Sequence, residues 1–202
     1  MRVIGLTGGI ASGKSVVSQL LAERGAVIID ADKLGHESYR PGTETFEALV
    51  REFGPDIAGP DGEIDRRALG AKVFADPEAR RKLNEIVWPA IKRLARERIV
   101  PLRGQGVPVV VLEAAVLIEA EWFDLVDDVW LVVTSPEAAR RRMMERNGLS
   151  AEEADKRIAA QLTNEQRRPR AQVVIENNGS LEDLQRAVDS EWARLQEKVA
   201  AT

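Results

Sequence analysis

Eight consecutive residues, Gly8-Gly9-Ile10-Ala11-Ser12-Gly13-Lys14-Ser15, fit the spacing G-x-x-x-x-G-K-[ST], and each fixed position has a chemical reason. Glycines at 8 and 13 let the backbone turn tightly enough for successive N–H groups to point at phosphate oxygens. A helix beginning there adds the positive end of its dipole. Lys14 can reach the β- and γ-phosphates of a nucleotide, and the Ser15 hydroxyl is an oxygen ligand for magnesium, a hard cation shared with those phosphates. The full pattern arises by chance in roughly one in a hundred chains of this length, before its context is counted. That context is present: the apolar run Arg2 to Thr7 precedes it, and Val16, Val17, Leu20 and Leu21 recur at helical spacing behind it.

Further acids and bases fall where an α/β protein would use them. Ala26-Val27-Ile28-Ile29 stops at Asp30-Ala31-Asp32, and Val107 to Leu112 stops at Glu113. Ligands of open α/β sheets gather beyond the carboxyl ends of the strands, so these acids should face the phosphates, with Asp30 and Glu113 able to assist magnesium through water. A helix-capping role competes strongly for Asp30 and less for Asp32. Arg142 and Arg146, four apart on one helical face, follow the strand-like run Val129 to Val133. A solvated surface role is about as frequent for such arginines as a phosphate contact, and their place just past a strand end favours the contact. His36 is the only histidine and cysteine is absent, which leaves no multi-histidine or thiolate metal site.

The elements that must position these groups read as alternating strands and helices. Apolar runs at 2–7, 26–29, 107–112, 129–133 and 171–175 predict a parallel sheet of about five strands flanked by helices, an α/β fold of the phosphate-loop nucleotide-hydrolase type. Residues 33–103 are helical in pattern, broken at Pro41-Gly42, Gly54-Pro55 and Gly59 to Gly62. Leu83, Ile86, Val87, Ala90, Ile91 and Leu94 form an apolar stripe there, and Pro89 is expected to kink or divide that helix. Leu181, Leu184, Val188, Trp192 and Leu195 line one face of a closing helix. One domain, 1–202, is expected, with a core of 1–32, 104–135 and 170–202, a helical insertion at 33–103 and a helical lid at 136–169. The net charge of −4 and the lack of an aromatic array disfavour nucleic acid. No apolar run reaches the length of a membrane span, and the N-terminus enters a strand without a signal-peptide pattern, so a cytoplasmic protein without membrane attachment is expected.

A phosphate loop alone does not choose among kinases, GTPases and motors, but the Asn-Lys-x-Asp guanine-recognition motif is missing. Small size, a helical insertion and an arginine-bearing lid favour a small-molecule kinase. Over essentially its full length the chain resembles the dephospho-coenzyme A kinases. The matching stretches are Gly5 to Ile10 leading into Ser12 to Ser15, Ile29 to Asp32, Pro41-Gly42, Leu83-Asn84 with Pro89, Leu117 to Glu119, Arg142 to Arg146, Arg157 to Gln161 and Val174 to Gly179. The resemblance implies transfer of the γ-phosphoryl of ATP to the ribose 3′-hydroxyl of dephospho-coenzyme A, with Mg2+ as cofactor. It implies Asp32 as general base, and Lys14, Arg142 and Arg146 stabilising the transferring oxygens. Gly9, Ile10, Ala11, Ser12, Gly13, Lys14, Ser15 and Val16 would hold ATP, with Asn177 near its adenine. Thr7, Asp32, Tyr39, Pro41, Gly42, Leu117 and Glu119 would border the acceptor. ATP and dephospho-coenzyme A are then the partners, in a monomer or weak homo-oligomer. Two stretches depart from the commonest bacterial pattern: Trp88-Pro89 stands for His-Pro, and Glu113-Ala114-Ala115-Val116-Leu117-Ile118-Glu119 for Asp-Val-Pro-Leu-Leu-Phe-Glu. In these replacements the chain resembles the kinase domain of the bifunctional eukaryotic coenzyme A synthase. Another small-molecule kinase, or a nucleotide-sensing protein that retains ATP without transfer, is the rival reading.

Overall fold

A computed structural model of the chain describes residues 1–74 and 76–200; Ala75 of the expected insertion and the last two residues of the expected core, Ala201 and Thr202, lie outside them. The chain forms two compact units, one of Met1–Ile29 with Ile99–Thr202 and the other of Asp30–Arg98. In order the elements are β1 (Arg2–Gly8), α1 (Lys14–Glu23), β2 (Val27–Asp30), α2 (Ala31–Ser38), α3 (Glu44–Phe53), α4 (Arg66–Phe74), α5 (Pro77–Gly104), β3 (Val109–Glu113), β4 (Asp128–Val133), α6 (Pro136–Asn147), α7 (Ala151–Ala159), α8 (Asn164–Arg167), β5 (Val173–Glu176) and α9 (Leu181–Ala200).

The strands form one five-stranded parallel sheet in the order β2-β3-β1-β4-β5. Both faces of its centre are covered, which is why the central strands are continuous runs of Val, Ile and Leu rather than alternating ones. Ile4, Leu6, Val109, Val111, Trp130, Val132 and Ile175 belong to one buried cluster with Val17, Leu20 and Leu21 of α1 and Leu184, Val188 and Leu195 of α9. Leu181, expected on that face of α9, is 54 % exposed, because it is the first residue of the helix and stands beyond the packed turns. Strand bounds differ from the sequence reading by one or two residues at several ends. Pro108 has no N–H to give a ladder, so β3 starts at Val109, while Arg2 N–H donates to the Pro108 carbonyl at 2.9 Å. At the other ends Glu113 and Glu176 extend their strands by backbone pairing that hydropathy does not report, and β2 runs on to Asp30. Because β1 sits between β3 and β4, the chain direction across the sheet reverses at its carboxyl end, the place where such sheets bind ligands.

The second unit is helical. Thr43 caps α3 by accepting from Phe46 N–H at 3.1 Å, Gly54 ends it, and a 3-10 turn at Pro55–Ile57 packs on both α3 and α4. A single antiparallel bridge, Ala58 to Ile64, closes the turn around Gly59 to Gly62. The expectation that Pro89 would divide its helix is corrected: α5 runs through it as one helix of 28 residues. A proline inside a helix costs about 3 kcal/mol relative to alanine. Pro89 sits on the exposed side, however, and Val87, Ala90, Ile91 and Ala95 are buried on either side of it in sequence. Their burial, at about 1.5–3 kcal/mol for each larger side chain, offsets one missing hydrogen bond.

Candidate active site

The turn between β1 and α1 holds its carbonyls by dedicated bonds. Gly9 O accepts from Ser12 N–H at 3.1 Å, Ala11 O from Arg142 Nη1 at 3.1 Å, Ser12 O from Asn177 Nδ2 at 2.7 Å, and Gly13 O from Val16 and Val17 N–H at 3.0 and 3.1 Å. The N–H groups of Lys14 and Ser15 open α1, where a helix has no internal acceptors for them. With these carbonyls tied back, the N–H groups of Lys14 and Ser15 are left for an anion. Two residues of the loop have left-handed backbone, Ala11 at φ 56° and Gly13 at φ 94°. At Gly13 there is also no room: a Cβ there would stand 2.2 Å from Asn177 Nδ2. Gly13→Ala should therefore combine a conformational penalty of about 1–2 kcal/mol with loss of the Asn177 bond. We expect ATP affinity to fall at least about tenfold by titration calorimetry, in a protein that melts a few degrees lower.

Lys14 and Glu113 face each other across the sheet centre. Lys14 Nζ donates to Glu113 Oε1 at 2.6 Å, with side chains only 13 % and 12 % exposed. Register explains the meeting, since Glu113 pairs with Leu6 on the strand that leads into the loop. The acid thus balances the loop lysine directly. Asp30 is committed locally, because its Oδ1 accepts from the N–H groups of Asp32 and Lys33 at 2.9 and 3.2 Å, which makes it the N-cap of α2. Asp32, one residue inside that helix, is exposed, and its carboxylate has no hydrogen bond or ion pair among the described residues.

Arg142, on α6, is fastened rather than free. Its Nη2 donates to the Asn177 carbonyl at 2.8 Å, and Nη1 reaches Thr134 Oγ1 at 3.3 Å as well as the Ala11 carbonyl. Burial, then the charges of Arg141 and Arg146, push its guanidinium below the usual arginine value. Arg146 is exposed and makes no hydrogen bond or ion pair among the described residues. Asn177 is 8 % exposed and acts as a buried strut between the loop and Arg142. Beside the loop lies a cavity of about 220 Å³ bordered by Gly9, Ile10, Ser12, Thr134, Gln161 and Arg167.

Of the residues expected around the acceptor, Thr7 is fully buried and donates to the Ala115 carbonyl at 3.3 Å, and Leu117 is fully buried against Gly5. Glu119 Oε1 accepts from Arg167 Nη2 at 2.8 Å. Tyr39 and Pro41 line a separate small cavity of about 130 Å³ in the helical unit with His36, Arg40, Glu63 and Arg66. Gly42 forms the adjoining turn at φ 83°. Burial pushes the Tyr39 phenol up, against the opposing pull of Arg66. Arg66 Nη1 lies 2.9 Å from His36 Nε2. Gln161, in the segment expected as a lid, accepts from Ile10 N–H at 2.9 Å, and Arg167, which sits in a basic run with no distinguishing spacing, also borders the loop cavity.

A parallel sheet whose first strand ends in this loop, with lysine and acid paired behind it and a basic helix beyond the adjacent strand, defines a phosphate-loop kinase. The dephospho-CoA kinase family model matches residues 2–183, and the chain belongs to that family. It is 52 % identical over 194 residues to the dephospho-CoA kinase of Geobacter sulfurreducens, covering 96 % of this chain and 98 % of that one. Among solved structures it resembles a Thermus thermophilus protein at 39 % identity and a TM-score of 0.79, with 96 % and 97 % of the two chains covered. The dephospho-CoA kinase of Campylobacter jejuni matches at 25 % identity and a TM-score of 0.64, over the same shares. The family is that of the last step of coenzyme A synthesis.

Proposed function

We propose that the chain moves the γ-phosphoryl of ATP to the ribose 3′-hydroxyl of dephospho-coenzyme A, with the following division of labour. The observation that carries this reading is the phosphate loop with Lys14 poised at 2.6 Å from Glu113, in a chain of this family. Lys14 and the loop N–H groups hold the triphosphate and stabilise the charge that spreads over the transferring oxygens. Arg142 fixes the loop from behind through the Ala11 carbonyl, and Arg146, exposed one turn along α6, is available to the phosphates when the 136–169 segment covers them.

The donor set fits magnesium. Ser15 offers a hydroxyl oxygen at the first turn of α1, and hard oxygen ligands shared with nucleotide phosphates and water are what this ion takes. Glu113 can accept from a magnesium-bound water with the oxygen that Lys14 leaves open; Asp30 is a weaker candidate because its Oδ1 already caps α2. When bound, the ion neutralises charge on the β- and γ-phosphates. Asp32, with its carboxylate uncommitted, takes the proton of the acceptor hydroxyl. In the helical unit Tyr39, Pro41 and the adjoining Gly42 turn are assigned to the acceptor beside their own small cavity; Glu119, Thr7 and Leu117 are assigned to it by the family resemblance alone. Such an enzyme would work in the cytoplasm, and no helix among the described residues is long and apolar enough to cross a membrane.

The test is an assay of the purified chain with Mg-ATP and dephospho-coenzyme A, identifying the product by mass and the phosphate position by NMR. We expect acceptor-dependent formation of coenzyme A phosphorylated at the ribose 3′ position. ATP binding without that product would overturn the reading and direct attention to other hydroxyl acceptors.

A further inference from the structure

Arg167 closes α8 within the run Arg167-Arg168-Pro169-Arg170, in which Arg168 and Arg170 are exposed while Arg167 is only 2 % exposed. Its guanidinium is held at two points. Nη1 donates to the Leu162 carbonyl at 2.6 Å and Nη2 to Glu119 Oε1 at 2.8 Å. The same Nη1 lies close to the phosphate loop, since a Cβ built on Gly9 would stand 3.1 Å from it. One residue further, Ile10 N–H donates to Gln161 Oε1. The segment 161–167 therefore bonds the loop at Ile10 and leaves little room for a side chain at Gly9, and Arg167 ties that segment to Glu119.

Stability alone is a poor explanation for this arrangement. Removing a guanidinium and a carboxylate from water is costly, and a buried pair recovers that cost only when its remaining donors and acceptors are satisfied. Here Arg167 Nε and Glu119 Oε2 are both buried without a hydrogen-bond partner, so the second prong of a two-pronged pair is unmade. What the arginine does supply is local. It places a positive charge beside the Glu119 carboxylate and close to a loop that must accept a polyanion, and by holding the Leu162 carbonyl it steadies the neighbouring Gln161 that bonds Ile10.

We propose that Arg167 is a positioning residue for phosphoryl transfer: it screens Glu119 from the incoming phosphates and locks Gly9 and Ile10 in the geometry that transfer requires. The inference rests on the kinase reading above. Its two parts separate by substitution. Screening is an electrostatic effect that neutralising Glu119 should restore, whereas locking needs the guanidinium itself.

The full chain would be compared as wild type, Arg167→Met, Arg167→Lys and the double variant Glu119→Gln/Arg167→Met, by steady-state kinetics, thermal melting and amide hydrogen exchange of the phosphate loop without nucleotide. In Arg167→Met we expect kcat to fall about 10–100-fold, KM for ATP to rise, and the Ile10 amide to exchange at least about tenfold faster. The double variant should recover its melting temperature and its KM for ATP, yet keep the low kcat and fast exchange. Arg167→Lys, which keeps the charge but cannot span Leu162 and Glu119 together, should fall between. A double variant that turns over like wild type, or wild-type exchange at Ile10 in Arg167→Met, would overturn the inference. Should Arg167→Met fail to fold, the lysine and double variants decide by the same readouts. Should the wild-type chain make no coenzyme A, the kinase reading fails on its own account and the exchange rates still judge the lock.

Discussion

Replacement of Lys14 by alanine should lower kcat/KM by about 10³-fold, with both ATP engagement and the chemical step affected. In the proposed mechanism Lys14 is the cation of the phosphate loop, so its loss would remove an attraction that grows as the transferring oxygens become more negative. A second consequence follows from its partner. Glu113, 12 % exposed and hydrogen-bonded to Lys14 at 2.6 Å, would be left as an uncompensated carboxylate beside the phosphate site. That carboxylate destabilises the fold and repels the nucleotide. Adding Glu113→Gln to Lys14→Ala should therefore restore thermal stability and part of the ATP affinity while kcat stays low. Calorimetric ATP binding together with single-turnover transfer would measure the split. If Lys14→Ala turned over within tenfold of wild type, the lysine would be a structural counter-ion to Glu113 rather than part of the transfer machinery.

The parts of this site that sequence revealed are those written in local chemistry. The phosphate loop is one continuous stretch whose glycines, lysine and serine have fixed roles, and the five buried runs announce a parallel sheet because both its faces must be apolar. The capping alternative for Asp30 and the freer status of Asp32 were also legible, since they depend on residues two and three apart. What was not legible depends on distant partners. Arg167 sits in a run that resembles a solvated basic patch, and nothing in its spacing announces Glu119, 48 residues earlier, or the tight approach to Gly9. Asn177 lies next to a turn signal, but its grip on Ser12 spans 165 residues. The continuity of α5 through Pro89 has the same origin: the local penalty of the proline is real, and burial around it outweighs that penalty.

Asp32→Asn should leave folding and the KM values near wild type while reducing kcat by about 10²–10³-fold. The structural part of this expectation comes from Asp30. It is Asp30, not Asp32, that accepts the two N–H bonds capping α2, so changing Asp32 removes only a favourable first-turn charge, worth about 0.3–1 kcal/mol. Asp30→Ala should show the complementary pattern, losing about 1 kcal/mol of stability with a smaller loss of turnover. The size of the kinetic effect depends on the transition state. Phosphoryl transfer is loose, with little bond formation to the attacking oxygen, so a base contributes less than positioning does and the lower half of the usual range is expected. Asparagine keeps an acceptor oxygen that can orient the hydroxyl but cannot take its proton; alanine loses both. Comparing Asp32→Asn with Asp32→Ala thus separates proton removal from orientation. Equal losses point to proton removal, and a much larger loss in the alanine variant points to orientation. Near-normal turnover by Asp32→Asn would remove Asp32 from the proton path and leave the acceptor hydroxyl to lose its proton to the transferred phosphoryl group or to water.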